Sequence, residues 1–237
     1  MCEHYVARAA EPFRLDELWD LTERLERFGI AGFGWGAAWI DARGGIRSYR
    51  DVRAFRDDPT REAVGRTETI AAVVHLRRPS KLSTLGMPDT QPFDDPAGRY
   101  SFSHNGDLRN HKAFRARYRA QGRLLGRADT EVGARWLEDA WHEGEPVPHL
   151  LGALHDTFGG QANLAILTAD GGAYHYAGNG ENPVFTFRLG RIGLACTGIY
   201  SIDRSVFRFA ARAATDRRMV AIGTTASLDP TGRPMTA

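Results

Sequence analysis

The stretch Cys2-Glu3-His4-Tyr5-Val6-Ala7-Arg8-Ala9 sets a cysteine directly ahead of a run, Glu3 to Ala9, that reads as a β-strand. A side chain as small as cysteine at position 2 favours removal of Met1, which would leave a thiol and a free α-amine on adjacent carbons. An α-amine titrates at roughly 7.7 to 8.0 and a thiol at about 8.5, so near neutral pH the amine can take the thiol proton directly or through one water. The nucleophile would then carry its own base. Position alone does not establish this, and an incidental Cys2 is the ordinary alternative.

Outward from that strand, Leu15, Leu18, Trp19, Leu25 and Phe28 recur at helical spacing, so the strand leads into an amphipathic helix. Gly32-Phe33-Gly34-Trp35-Gly36 opens a strand through Ile40, and Gly44-Gly45 marks a turn before Ile46 to Tyr49. Ile70 to Val74 reads as a buried strand ending at His75. After a Pro- and Asp-rich loop from Pro79 to Pro96, a short strand from Tyr100 to Ser103 is expected to stop at Asn105-Gly106. Helices are predicted from His111 to Gln121, from Asp129 through Trp141 and from Val147 to Phe158.

Four strands follow in the reading, Asn163 to Thr168, Ala173 to Ala177, Pro183 to Leu189 and Ile192 to Thr197. A helix over Arg204 to Thr215, a strand from Met219 to Thr224 and a disordered tail from Asp229 complete it. Strands in hairpins at both ends and helices between them imply an α+β domain of two antiparallel sheets faced by helices, one domain over residues 1–237.

Composition narrows the function classes. With 237 residues and 42% hydrophobic content the chain can bury one sizeable core. The longest apolar run, Ile70 to Val74, is far shorter than a membrane-spanning helix needs, and no signal pattern precedes it, so a soluble cytoplasmic protein is expected. Only Cys2 and Cys196 are present, without disulfide or metal-ligand spacing. A net charge of +2 drawn from 31 basic and 29 acidic residues gives little reason to expect nucleic acid. Arg115, Arg117 and Arg119 would spread around a helix rather than form a stripe, and neither lysine lies in a P-loop.

Three further segments could carry chemistry. Arg77, in His75-Leu76-Arg77-Arg78-Pro79-Ser80, stands where a buried strand gives way to a loop, and its planar guanidinium could grip a carboxylate by two parallel hydrogen bonds. The bland reading is a surface arginine. Asn105-Gly106 is a common hairpin dipeptide, yet a side-chain N–H and the next backbone N–H can also converge into an oxyanion hole. Asp129, in Asp129-Thr130-Glu131, is a sound helix N-cap, and facing a pocket it could instead pair with an ammonium.

Taken in order, Cys2, His75 to Arg77, Asn105-Gly106 and Asp129 to Glu131 resemble the class II glutamine amidotransferases, which show an N-terminal cysteine, His-x-Arg ending a strand, Asn-Gly and Asp-Thr-Glu. The likeness is closer to compact stand-alone members beginning Met-Cys, with Gly34-Trp35-Gly36 and Pro92-Phe93 also in place. The resemblance implies a four-layer αββα sandwich of the N-terminal nucleophile hydrolase type. It implies that Cys2 attacks the glutamine carboxamide, giving a γ-glutamyl thioester and ammonia, and that water then releases glutamate. On the matching positions, Asn105 and Gly106 would form the oxyanion hole, Arg77 would hold the α-carboxylate and Asp129 the α-ammonium. Ser80 stands where the family usually has a substrate-contacting threonine, and Trp35 is expected to pack.

Departures from the family pattern accompany these matches. Glu3-His4 follows the nucleophile where biosynthetic members have glycine, and Arg77-Arg78-Pro79-Ser80 replaces Arg-Trp-Ala-Thr. Arg78 to Ser80 and Thr197 to Tyr200 are the expected walls on the leaving-group side. The histidines show no ligand spacing, so neither metal nor cofactor is implied. The leading expectation is a glutaminase that passes ammonia to a separate synthase subunit. Alternatives are a stand-alone hydrolase of another γ-glutamyl amide and a catalytically inactive binding or scaffold subunit.

Overall fold

The computed structural model describes residues 2–199 and 204–236. Strand β1 (Glu3–Arg14) leads through a 3-10 turn into helix α1 (Trp19–Phe28), then β2 (Trp35–Ile40), β3 (Ile46–Asp51), the short α2 (Arg61–Gly65) and β4 (Glu68–Leu76). The middle of the chain holds β5 (Phe93–Asp94), β6 (Tyr100–Gly106), α3 (His111–Ala120), α4 (Asp129–Ala140) and α5 (Val147–Phe158). Then come β7 (Ala162–Thr168), β8 (Ala173–Tyr176), β9 (Val184–Leu189), β10 (Ile192–Thr197), α6 (Ser205–Phe209), β11 (Thr215–Met219), β12 (Thr225–Leu228) and β13 (Pro234–Thr236).

The strands form a seven-stranded sheet in the order β11-β9-β10-β1-β4-β2-β3 and a six-stranded sheet in the order β13-β12-β8-β7-β6-β5. All the pairings are antiparallel. Strand alternation then sorts side chains into layers. Tyr5, Ala7, Val74 and Leu76 meet Leu21 and Leu25 of α1 and Val206 of α6. Their neighbours Val6, Ala71 and Val73 face Ala165, Leu167 and Ala173 of the other sheet. On the far side Phe102, Leu164 and Ile166 pack against Leu137 of α4 and Leu150 and Leu154 of α5. The result is the four-layer αββα sandwich, and Trp35 is buried in its core with its indole N–H donated to Asp58.

Four expectations are corrected. The helix over Arg204 to Thr215 shrinks to Ser205–Phe209, and the late strand falls at Thr215–Met219 rather than Met219 to Thr224. The open edge of β9 takes Thr215, Arg218 and Met219 as ladder partners, which sets the late strand ahead of its expected place. Nor is the tail disordered over its described part. Asp229 accepts the backbone N–H groups of Thr231 and Arg233, each at 2.8 Å, and the turn so formed lets β13 pair with β12. Finally, β6 does not stop ahead of Asn105-Gly106: these residues lie opposite Asn163 and Ala162 of β7, so the dipeptide is ladder and not a hairpin turn.

Candidate active site

Toward one end of the space between the sheets, the inward positions turn from apolar to polar. The face of β1 that buries Val6 carries His4 and Cys2, the face of β4 that buries Val73 carries His75 and Arg77, and the inward face of β6 carries Ser103 and Asn105. The same period of two that builds the core therefore delivers these groups to one place.

Cys2 is half-buried at the head of β1. Its backbone nitrogen donates to Asn105 Oδ1 at 3.0 Å, and its Sγ accepts the Arg78 N–H at 3.2 Å. Burial pushes the thiol pKa up, opposed by that N–H and by the charge of Arg77. Asn105 is fully buried, and with its oxygen taken up by Cys2 its Nδ2 has no partner among the described residues. An orphaned buried amide is costly and calls for a reason. Gly106 has φ +129, and a Cβ there would lie 1.7 Å from the Gln161 carbonyl oxygen, so only glycine fits.

Arg77 is 3% exposed and donates to the carbonyl oxygens of Thr84 and Gly86 and to the Thr90 hydroxyl. Among the described residues no carboxylate lies within ion-pair distance of it, and burial lowers its pKa. Asp129 is the first residue of α4 rather than its cap, which is Ala128. Its carboxylate accepts the N–H groups of Leu108 at 2.8 Å and Thr130 at 3.0 Å, tying the chain after β6 to the helix.

A cavity of about 460 Å³ brings together Cys2, Arg77, Ser80, Gly106 and Asp129. Asn105 is joined to it through Cys2. Arg78, Pro79 and Ser80 form part of its wall, with Ser80 exposed. Thr197 does not line it: its hydroxyl contacts the Glu3 carboxyl and the His4 N–H. Tyr200 lies outside the described residues.

Sequence reasoning missed several lining residues. Gln91 brackets the strand before Asn105, accepting the His104 N–H at 2.6 Å and donating to the His104 carbonyl at 3.0 Å and the Thr130 hydroxyl at 3.2 Å. Gly36 permits this, since a Cβ there would meet the Gln91 carbonyl at 2.3 Å. The one signal was Gln91's place beside Pro92-Phe93. Lys81 and Arg127 add exposed cations to the lining. Asp107 and His111 stand beside Asp129, their possible ligand atoms all within 4.8 Å of one another, a clustering that no sequence spacing announced. Asp107 is exposed while His111 and Asp129 are half-buried, so two carboxylates stand on that side of the cavity.

Two facing antiparallel sheets between helical layers, with a cysteine at the head of a central strand, define the N-terminal nucleophile hydrolase class. The family described as glutamine amidotransferases class-II matches residues 16–225, and the chain belongs to that family of enzymes. Three solved structures share its fold. Glutamine phosphoribosylpyrophosphate amidotransferase from B. subtilis, complexed with ADP and GMP, is 16% identical with a TM-score of 0.75, covering 100% of this chain and 49% of that one. A structure described as the allosteric regulatory enzyme of purine biosynthesis is 15% identical with a TM-score of 0.74, covering 100% and 48%. A glutamine aminotransferase class-II domain protein from Silicibacter pomeroyi is 16% identical with a TM-score of 0.60, covering 99% and 98%. The chain thus spans about half the length of the first two. No curated protein matches it in sequence. Among the described residues no helix is long and apolar enough to cross a membrane.

Proposed function

We propose that this chain hydrolyses the side-chain amide of glutamine and supplies the ammonia to a separate synthase subunit. One observation carries the reading: Cys2, the buried Arg77 and the Asn105 Nδ2 group, the last two with no anionic or hydrogen-bond partner respectively among the described residues, meet at one cavity whose lining includes Asp129. Loss of Met1 makes the Cys2 nitrogen an α-amine already seated on Asn105 Oδ1. Arg77 takes the substrate α-carboxylate by its guanidinium fork, and Asp129 takes the α-ammonium.

The Cys2 thiol proton passes to the α-amine, and the thiolate attacks the carboxamide carbon. Asn105 Nδ2–H and the Gly106 N–H receive the developing oxyanion, which gives the orphaned amide its reason. Collapse breaks the C–N bond, and the proton held by the amine leaves with the ammonia. Water, deprotonated by the same amine, then cleaves the γ-glutamyl thioester to glutamate and the free thiol.

A second reading is favoured by the size of the cavity and by the exposed Ser80, Lys81 and Arg127 in its lining: a hydrolase of γ-glutamyl amides with larger leaving groups. Side-by-side kcat/KM for glutamine and a panel of γ-glutamyl amides, with and without the partner encoded beside the gene, tests both. Turnover of glutamine stimulated by the partner supports the first. Faster turnover of a larger amide by the isolated chain, with no stimulation, replaces it with the second. Absence of turnover for every amide, equal to that of Cys2→Ala, leaves a binding or scaffold subunit.

A further inference from the structure

Below the floor of the cavity, the Ser103 hydroxyl lies 2.9 Å from His4 Nδ1 and 2.8 Å from His75 Nδ1. Ser103 and His75 are fully buried, as is His4. We propose that this hydroxyl is a positioning device that sets Cys2 and Asn105 against one another across the two sheets. The inference rests on the functional reading above, and it names the group that makes that geometry possible.

The argument is one of register. In a strand, residues two apart share a face and differ in position by one pleat. His4 is two residues from Cys2, His75 two from Arg77 and Ser103 two from Asn105, so the three bonded side chains form the layer directly beneath the three side chains of the cavity. His4 and His75 are already cross-strand partners in the β1–β4 ladder, so those two strands are fixed by backbone hydrogen bonds. Strand β6 is not, because it belongs to the other sheet. Apolar contact between the sheets through residues such as Val6, Val73 and Ala165 is non-directional, and directed bonds between them such as those from Arg8 to the Leu228 carbonyl and from Ser48 to Asp94 lie on other strand pairs. A hydroxyl with two directed bonds across the gap opposes sliding of one sheet on the other. The 3.0 Å contact from Cys2 to Asn105 spans that same gap one pleat higher.

Proton counting makes the bridge specific. A serine hydroxyl has one hydrogen, so it cannot donate to both imidazoles, and at least one of His4 and His75 must carry its proton on Nδ1 and donate to Ser103 Oγ. Burial holds both rings neutral, pushing each pKa well below the usual histidine value, and Arg77 adds to this at His75. His175 closes the cluster from β8, its ring edge-on to His4 at 4.5 Å, and the neighbouring rings lower the pKa of His4 further.

The test is Ser103→Ala beside Ser103→Thr, each assayed well below its melting temperature. Loss of the hydroxyl should lower kcat for glutamine at least roughly 10-fold, since misplacement by about 1 Å can cost on the order of 10²-fold. KM should stay within about 3-fold, because Arg77 is held independently by the Thr84, Gly86 and Thr90 oxygens. Ser103→Thr, which keeps the hydroxyl, should recover most of kcat. A lower melting temperature with unchanged kcat in Ser103→Ala would make the bridge merely structural and overturn the proposal. Independently of activity, and even if the variants fail to fold, ¹⁵N NMR of the wild-type imidazoles should show Nδ1–H on at least one of His4 and His75. Finding Nε2–H on both would also overturn it. A wild-type protein without glutaminase activity would instead count against the functional reading, leaving the tautomer result to stand or fall separately.

Discussion

Replacing Asn105 by Asp changes one atom group and little else. Asp keeps the oxygen that accepts from the Cys2 nitrogen at 3.0 Å, and it substitutes an oxygen for the Nδ2–H that has no partner among the described residues. Two losses follow. The oxyanion loses one of its two proposed donors, on the scale of 10²- to 10³-fold in kcat, or about 2.7 to 4 kcal/mol. The new carboxylate also stabilises the protonated α-amine, making it a poorer leaving-group acid and slower to return as base. Asn105 is buried within the β6–β7 ladder, so its backbone pairing with Asn163 does not depend on the side chain. Steady-state kinetics on glutamine, with circular dichroism as the folding control, should therefore show kcat reduced at least roughly 10²-fold and KM little changed. A folded Asn105→Asp enzyme with kcat within about 3-fold of wild type would refute the oxyanion assignment and leave the orphaned amide without a reason.

Intact-mass analysis should show loss of one methionine, and full activity in protein that retains Met1 would remove the self-base mechanism. Asp129→Asn should raise KM for glutamine at least roughly 10-fold while costing about 1 kcal/mol of stability, because asparagine keeps only one acceptor for the Leu108 and Thr130 N–H groups; an unchanged KM would leave Asp129 a purely structural tie. Arg77→Lys should likewise raise KM by losing the bidentate fork, and wild-type KM there would remove the carboxylate clamp. The fully buried Glu3 carboxyl is pushed up to about 8 by burial, against hydrogen bonds from Thr197 and Asn182, starting from an ordinary value of 4.5. Between those values the folded state holds a proton that the unfolded state has lost, so this group lowers stability as pH rises from 4.5 to 8, by up to about 5 kcal/mol in order of magnitude. Melting curves from pH 5 to 9 should fall more steeply for wild type than for Glu3→Gln, and equal slopes would show that Glu3 is ionised in the fold.

Much of the fold could be read locally. The β4 and β7 runs and helices α3, α4 and α5 carry their own period of two or of 3.6, so the sequence reading and the structure agree there to within a few residues. Disagreement came where a partner distant in sequence chose the conformation. Residues 215–219 became strand because β9 offered an open edge, and Asn105-Gly106 stayed in the ladder because β7 lay beside it. Asp129 read as a cap because capping is the local use of aspartate, whereas the fold gives its carboxylate the Leu108 N–H, 21 residues away.

For the site, the sequence by itself determined the chemical inventory: a thiol that could be freed beside an amine, an arginine ending a buried strand, an Asn-Gly pair and an aspartate opening a helix, in family order. Only the tertiary structure decided that the Cys2 nitrogen meets Asn105 across 103 residues, that Arg77 is buried with no carboxylate beside it among the described residues, and that His4, Ser103 and His75 join beneath them. The physical reason is that side-chain alternation is a property of one strand, while the stacking of two sheets depends on how their whole inner faces fit, a nonlocal quantity absent from any short stretch of sequence.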